Sequence, residues 1–391
     1  MVRWEGLEPP TYWFVGVKNI HNYDFLWYNN IKYHKTTTKG GLNMSLSDNI
    51  TFSELSEIWL YDVNITLTWN WQKQQERFVG NLCRFLGDKR IKDIKPLDID
   101  KVIVELSRRN PNTGKPMSKK TLQGLVNTLI QIFELAVENE IISRNPAGNK
   151  KKRIPRSAST KIVECISDEA QKLILSVEHR AQTAALIMLF CGLRMGEALA
   201  LQWCDIDFEQ KSIFVRKTLQ RVDTNLYRVK RGTKNNKTRK VPIPDYLFNY
   251  LVNIKSNNNI IDTDYINTQI DGSIHTPTSW SQVWNSYNTR LNYAKYTKLY
   301  PNAKSIYSPS GIPQVLEKIN AHQLRHTYAT MLYKSNVDIL TASSLLGHSD
   351  VKLTLSIYTH LDEKYKQINI SKLNDYINDN FPSSDDTEEE D

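Results

Sequence analysis

The sequence predicts a multidomain protein in which an all-α domain is followed by a mixed α+β, mainly helical domain with a small antiparallel sheet. Three observations support this fold class. The chain has 391 residues, which is too long for one ordinary domain. Apolar residues recur at helical spacing in the first part of the chain. Within residues 46–391, short strand-like runs appear only after residue 210, with helical patterns on both sides.

Residues 1–45 form an N-terminal extension that is rich in aromatic residues and ends in Gly40 and Gly41. Aromatic residues favour short strands, and paired glycines are typical of a turn or linker. Three interpretations stay open with equal weight. The extension is a small β module, a disordered segment, or the product of an upstream start codon, with Met44 as the true first residue.

A helical domain is predicted over residues 46–147. Thr51 and Glu54 have the spacing of a capping box, so a helix is expected to begin there. Further helices are predicted over residues 69–86, 98–109 and 119–139. The pair Asn145-Pro146 ends the last helix, because proline disfavours a helical conformation in the residue before it.

Residues 148–161 are predicted to be a basic interdomain linker. They combine prolines and small residues with a dense run of positive charge, at Lys150, Lys151, Lys152, Arg153 and Arg156. Such runs are usually solvated hinges. Because the whole chain has a net charge of +9, we favour a basic strap that lies over a phosphate backbone.

A mixed domain is predicted over residues 162–380, followed by an acidic disordered tail over residues 381–391. Ser167 is a good helix N-cap, with acids in the first turn after it. Helices are predicted over residues 181–190, 247–254, 320–335, 338–347 and 362–377, and strands over residues 211–218, 226–229 and 239–243.

Composition excludes several classes of protein. No apolar run approaches the ~18 residues of a membrane span, and the N-terminus lacks a signal-peptide layout. The four cysteines are scattered without a C-x-x-C pair, which fits a reducing cytoplasm and argues against a zinc knuckle. The basic charge favours a polyanionic partner, DNA or RNA first.

Four segments of the second domain carry groups suited to a phosphodiester. They are GLRMGE at 192–197, TK at 233–234, HQLRH at 322–326, and GH at 347–348 followed by YTH at 358–360. His322 and Arg325 share a helix face, which sets a proton carrier beside a forked cation. Each segment alone also has an ordinary structural explanation, such as an Arg194–Glu197 ion pair or a packed aromatic ring at Tyr358.

The joint order of these segments resembles the tyrosine recombinase family, the phage integrases and their relatives. The resemblance covers roughly residues 50–375 and is strongest at 191–201, 322–327 and 345–360. It implies that residues 46–147 are a SAM-like core-binding domain for DNA and that residues 162–380 are the catalytic domain. It also allows residues 1–45 to be an arm-type DNA-binding module.

The resemblance implies a catalytic role for each matched residue. Tyr358 would be the nucleophile and form a 3′-phosphotyrosyl link. Arg194 and Arg325 would clamp the non-bridging phosphate oxygens, and Glu197 would support Arg194.

The remaining roles concern protons. Lys234 would protonate the leaving 5′-oxygen, His322 would assist proton transfer, and His348 would hydrogen-bond to the phosphate. Lys234 lies between two predicted strands, at the tip of an expected hairpin over residues 230–240. The register of this hairpin decides whether the catalytic lysine is Lys234 or one of three alternatives, Lys230, Lys237 and Lys240.

The resemblance also implies partners. These are double-stranded DNA attachment sites, a homotetramer on DNA, a host DNA-bending factor and an excision factor, in the bacterial cytoplasm, without a metal, another cofactor or ATP. Lys237 and Arg239 are expected to join the linker residues in contacting DNA. An integrase of a phage or integrative mobile element is favoured. The alternatives are an Xer-type dimer resolvase and an inactive DNA-binding protein.

Overall fold

The computed structural model describes residues 33–38, 41–46, 49–65, 67–148, 154–155, 165–232, 238–257, 259–302, 312–348, 350–358, 370 and 374. The chain divides into two compact units, Met1–Lys161 and Ile162–Asp391. Within the described ranges, no helix combines the length and apolar character that crossing a bilayer requires.

The described residues of the first unit form a β-hairpin and four α-helices. Its elements are β1 (Tyr33–Thr38), β2 (Gly41–Leu46), α1 (Phe52–Asn64), α2 (Trp69–Leu86), α3 (Pro96–Arg108) and α4 (Lys119–Glu138), with a 3-10 turn at Ile91–Asp93. The two strands pair antiparallel. The hairpin overlaps the end of the N-terminal extension, whose residues 1–32 lie outside the described part, and the three interpretations of the extension stay predictions.

Helix α1 begins where the sequence predicts because Thr51 and Glu54 form the capping box. The Thr51 hydroxyl accepts the Glu54 N–H at 3.3 Å, and the Glu54 carboxylate accepts the Thr51 N–H at 2.9 Å. Helix α4 buries one long face against the other helices, and its Phe133 ring lies 5.9 Å from that of Phe52. The helices therefore close a hydrophobic core of their own.

In the part of the second unit that the structure describes, further helices and two small sheets lie around a central helix, α6. Its elements are α5 (Asp168–Ser176), α6 (Gln182–Cys191), α7 (Met195–Leu199), β3 (Ile206–Asp207), β4 (Ser212–Val215), β5 (Lys217–Asp223), β6 (Leu226–Arg231), β7 (Arg239–Pro242), α8 (Asp245–Ser256), α9 (Pro277–Leu299), α10 (Ala321–Lys334), α11 (Ile339–Leu346) and α12 (Val351–Tyr358), with a 3-10 turn at Trp203–Asp205. Helices α5, α7, α8 and α10 pack on α6, which explains its apolar composition. The predicted fold class is confirmed.

The strands pair differently from the expected hairpin. β3, β4 and β7 form one antiparallel sheet, and β5 and β6 form a separate antiparallel ribbon. The predicted hairpin over residues 230–240 was therefore wrong, because β6 and β7 pair with different strands. Asp223 lies opposite Leu226, so a two-residue turn joins β6 to β5 locally. Val241 of β7 is buried and pairs with Ile213 of β4.

Helix α9 was not predicted, although most of its buried residues are apolar and recur at helical spacing. Two asparagines also lie among these buried residues. Asn292 accepts the N–H groups of Val315 and Leu316, each at 2.9 Å. Asn288 accepts the N–H of Ile319 at 2.7 Å. These side chains hold the segment that leads into α10, and α10 carries His322 and Arg325.

Candidate active site

The C-terminal turn of α11 is where the arginines of the site meet. A helix end leaves carbonyl oxygens without intrahelical partners, and its partial negative charge attracts cations. Three consecutive carbonyls each accept from an arginine: Leu345 from Arg239 Nε at 2.9 Å, Leu346 from Arg325 Nη2, and Gly347 from Arg194 Nη2 at 3.0 Å. One helical turn thus aligns β7, α10 and the start of α7.

Glu197 binds two of these arginines, and its side chain is only 2 % exposed. Its Oε1 accepts from Arg194 Nη1 at 2.9 Å. Arg239 makes a bidentate pair, with Nη2 at 2.7 Å from Oε2 and Nη1 at 3.2 Å from Oε1. Burial alone would raise the pKa of Glu197, but the hydrogen bond and charge of Arg239, together with Arg194, lower this pKa to about 2. The carboxylate is therefore ionised at neutral pH.

Arg325 is the buried cation of the site, with 3 % of its surface exposed. Its Nη1 donates to the Gly192 carbonyl at 2.6 Å, so both ends of its guanidinium are anchored to backbone. Burial and the nearby charge of Arg194 lower the pKa of Arg325 to about 9. Arg325 stays charged at neutral pH, and an anion between the two arginines would relieve their repulsion.

Two glycines are required by the backbone of the site. Gly192 and Gly347 end α6 and α11, each with φ of 63° in the left-handed region. A Cβ on Gly192 would lie 2.2 Å from the ring of Tyr328, and a Cβ on Gly347 would lie 2.9 Å from Arg239 Nη1. Both glycines therefore allow a close approach between elements as well as a turn.

His322 and His326 lie one turn apart on α10, with ring centroids 4.6 Å apart in an edge-to-face arrangement. Desolvation by neighbouring protein atoms, followed by the charges of Arg325 and Arg194, lowers the pKa of His322. Desolvation, followed by His322 and Arg325, lowers the pKa of His326 to about 4. Neutral imidazoles can accept a proton, so His322 can act as a base beside the cations.

His348 follows directly after the carbonyl that binds Arg194. Its Nδ1 lies 2.8 Å from the hydroxyl of Thr354, which is fully buried in α12. Desolvation, then the charges of Arg325 and Arg194, lower the pKa of His348 to about 4. The contact with Thr354 fixes the ring, and Nε2, which has no hydrogen-bond partner among the described residues, is the nitrogen that could bind a ligand.

The two arginines and the histidines beside them form a site that suits an anion with at least two oxygen atoms. The Arg194 side chain is 33 % exposed, and it lies close enough to the buried Arg325 for its charge to lower the pKa of Arg325. A planar guanidinium binds phosphate oxygens through paired donors, and neutral histidines next to it can move protons.

Comparisons with known proteins agree with this chemistry. Residues 163–365 match the phage integrase family. A tyrosine recombinase XerC-like protein of Caldanaerobacter subterraneus subsp. tengcongensis is 30% identical over 357 residues, which is 86% of each chain. The chain belongs to the phage integrase family of tyrosine recombinases. This recombinase is also similar to the ICEBs1 integrase of Bacillus subtilis, with 27% identity over 346 residues, 85% of this chain and 84% of the relative.

Solved structures show the same fold. The Tn1549 transposon integrase, determined with transposon right end DNA, superposes on the recombinase with a TM-score of 0.63. The identity is 20%, and the match covers 83% of this chain and 99% of the integrase chain.

The structure brings together only part of the predicted site of the recombinase. Arg194, Glu197, Arg325 and the two predicted histidines lie around the end of α11. Tyr358 is the last residue of α12, a helix that packs on α10 and α11, while its side chain lies outside what is described. Also outside the described residues are Lys234, Lys237, Lys150, Lys151, Lys152, Arg153 and Arg156.

Two residues of the site were missed from the sequence. His326 was overlooked although it follows His322 by four residues, one helical turn. Arg239 was expected to contact DNA, but its side chain is 9 % exposed and its donors bind Glu197 and Leu345. Direct DNA contact by Arg239 therefore has no support from the structure. Strand alternation was the available signal, since Arg239 shares a face of β7 with the buried Val241.

Proposed function

We propose that this recombinase is the integrase of a phage or integrative mobile element, which cuts and rejoins DNA at specific sites. The observation that carries the proposal is the anchoring of Arg194 and Arg325 to adjacent carbonyls of α11, immediately before His348. The similarity to the ICEBs1 and Tn1549 integrases supports the mobile-element assignment.

The two arginines bind the non-bridging oxygens of the scissile phosphate. Charge grows on these oxygens as the pentacovalent state forms, so donors that are already in place stabilise this state more than the substrate. Arg325 is fixed by two backbone carbonyls, and Arg194 by Gly347 and Glu197. Little reorganisation is then required during the reaction.

Tyr358 supplies the nucleophile. Its oxygen attacks phosphorus, the bond to the 5′-oxygen breaks, and the product is a 3′-phosphotyrosyl link with a free 5′-hydroxyl. Lys234 gives a proton to the leaving 5′-oxygen, His322 assists proton transfer, and His348 hydrogen-bonds to the phosphate. One phosphodiester replaces another, so the exchange needs no ATP.

The proposed partners follow from the resemblance to other tyrosine recombinases. Two duplexes carrying attachment sites are bound by four protomers, and strands are exchanged through a Holliday junction, with a host DNA-bending factor and an excision factor as accessory proteins in the bacterial cytoplasm. The helical first unit and the basic residues at 150–153, 156 and 237 contact the DNA backbone, where phosphate neutralisation supplies affinity.

An Xer-type resolvase is the second candidate, and the XerC-like relative favours it. The two functions differ in their DNA. A resolvase joins two copies of one chromosomal or plasmid site, whereas an integrase joins the ends of its element to a different target sequence.

Covalent trapping tests the proposed function. Wild type, Tyr358→Phe and the control Tyr300→Phe are incubated, with EDTA present, with nicked duplexes spanning the element's own ends. We expect an SDS-resistant protein–DNA adduct from wild type and Tyr300→Phe but none from Tyr358→Phe. Tyr300 directly follows α9 and is 53% exposed, so the control makes the same chemical change at a surface position.

The other outcomes are equally informative. An adduct that forms with Tyr358→Phe would show that another residue is the nucleophile. Tight DNA binding by wild type without any adduct would favour the DNA-binding protein that lacks activity.

A further inference from the structure

Arg194 and Arg239 share one carboxylate but differ in their access to solvent. The Arg194 side chain is 33 % exposed, whereas that of Arg239 is 9 % exposed. Arg239 makes the stronger contact with Glu197, through two nitrogens at 2.7 and 3.2 Å, while the Arg194 side chain makes one at 2.9 Å. The more accessible arginine is thus the one with the weaker hold on the carboxylate.

The charges of this trio favour an anion at Arg194. A carboxylate paired with a single arginine would cancel most of the positive charge that a nearby phosphate could use. The bidentate Arg239–Glu197 pair is neutral as a unit, so one positive charge remains in excess. We infer that Arg239 is a positioning residue, which neutralises Glu197 and thereby leaves the charge of Arg194 for the scissile phosphate; this inference rests on the proposed function.

Arg239 also orders the backbone group that holds Arg194. Its Nε donates to the Leu345 carbonyl, two residues before the Gly347 carbonyl that accepts Arg194 Nη2. The Arg239 guanidinium packs so closely on Gly347 that a Cβ there would lie 2.9 Å from Nη1. Arg239 therefore contacts both acceptors of Arg194, Glu197 and the end of α11.

A lysine could supply only part of this role. Arg239 uses Nε, Nη1 and Nη2 at the same time, in a planar geometry that an ammonium group lacks. A lysine at this position would keep the charge near Glu197 but lose the bond to the α11 turn. Arg239→Lys should therefore have intermediate activity.

The test measures DNA affinity and single-turnover cleavage of a nicked duplex separately. We expect Arg239→Gln to lower the cleavage rate about 10- to 100-fold with little change in affinity, less than the ~10²–10³-fold cost of losing a direct contact. Adding Glu197→Gln should restore part of the rate, because removing the carboxylate returns the excess positive charge to Arg194.

Arg216→Gln is the matched control. It removes one of two cations from another buried carboxylate, Asp205, whose second partner is Lys217. This variant should cleave at the wild-type rate, and thermal melts of all variants identify any loss of folding.

The inference and the proposed function can fail separately. Wild-type cleavage by Arg239→Gln would overturn the inference and leave the function intact. A double variant no faster than Arg239→Gln would also overturn it, since a loss of packing alone predicts no rescue. Absence of cleavage by wild type on its own DNA would instead count against the proposed function.

Discussion

Glu197 and Asp205 are both buried carboxylates with two cationic partners, yet they connect very different parts of the chain. Asp205 is fully buried and pairs with Arg216 at 2.5 Å and Lys217 at 2.8 Å, the first only 11 residues away. Glu197 pairs with Arg239, which lies 42 residues away and also binds the end of α11. The ion pairs of Asp205 therefore join residues that are close in the sequence, whereas the ion pairs of Glu197 join the distant elements that form the candidate site.

The two carboxylates also differ in the solvent access of the arginine that each would leave unpaired if it were removed. The Arg216 side chain is 50% exposed, so water could solvate it without Asp205. The Arg239 side chain is 9 % exposed, so it would keep an uncompensated charge. The comparison therefore predicts unequal costs for two similar substitutions.

The largest effect is expected on stability. Glu197→Gln should lower the free energy of unfolding by about 3–5 kcal/mol, because it leaves a buried arginine without its counter-charge. Asp205→Asn should cost less, about 1–3 kcal/mol, since the side chain of Arg216 is 50% exposed and can be solvated, while that of Lys217 is 14% exposed. Urea unfolding followed by circular dichroism measures both. Equal losses would mean that exposure does not distinguish the two networks.

Acid should remove the contribution of Glu197 next. Its pKa lies below the ordinary 4.5, at about 2, so its stabilising contribution is complete above pH 4.5 and is lost as pH falls toward 2. At 1.36 kcal/mol per unit this contribution amounts to about 3 kcal/mol. Unfolding free energies across this range should fall less steeply for the Glu197→Gln, Arg239→Gln double variant than for wild type. Parallel plots of unfolding free energy against pH for the two proteins would show that Glu197 does not supply this contribution.

The smallest effect is expected at the end of α11. Gly347→Ala should cost about 1–2 kcal/mol in backbone strain and also slow cleavage, because its Cβ meets the Arg239 side chain. Gly272→Ala is the matched control, since Gly272 has φ of 81° but open space around a Cβ. It should show the strain without the slower cleavage. Equal cleavage rates for the two variants would show that the close contact between Gly347 and Arg239 does not affect cleavage.

Local signals in the sequence predicted much of the fold. The capping pair at Thr51 and the N-cap at Ser167 mark helix starts that the structure contains. Strand partners were not predictable in the same way, because pairing is non-local and the run at 239–243 does not specify whether β4 or β6 is its neighbour. Helix α9 was missed although its buried face carries an apolar stripe at helical spacing, formed by Trp280, Val283, Tyr287 and Leu291.

The candidate site was predictable where one motif contains the partners. Arg194 and Glu197 are three residues apart on one turn, so their ion pair was anticipated. Arg239 was misjudged because its position in a run of basic residues suggested solvent exposure. Only the tertiary structure shows the run turning inward at this residue, toward a carboxylate 42 positions earlier.

The three consecutive acceptor carbonyls of α11 also constrain how the domain can change length. The acceptors are the last two residues of α11 and its left-handed C-cap, Gly347, and each binds an arginine from a different part of the chain. A single residue inserted into α11 would assign every arginine to the wrong carbonyl at once. We therefore expect this helix to keep its residue count.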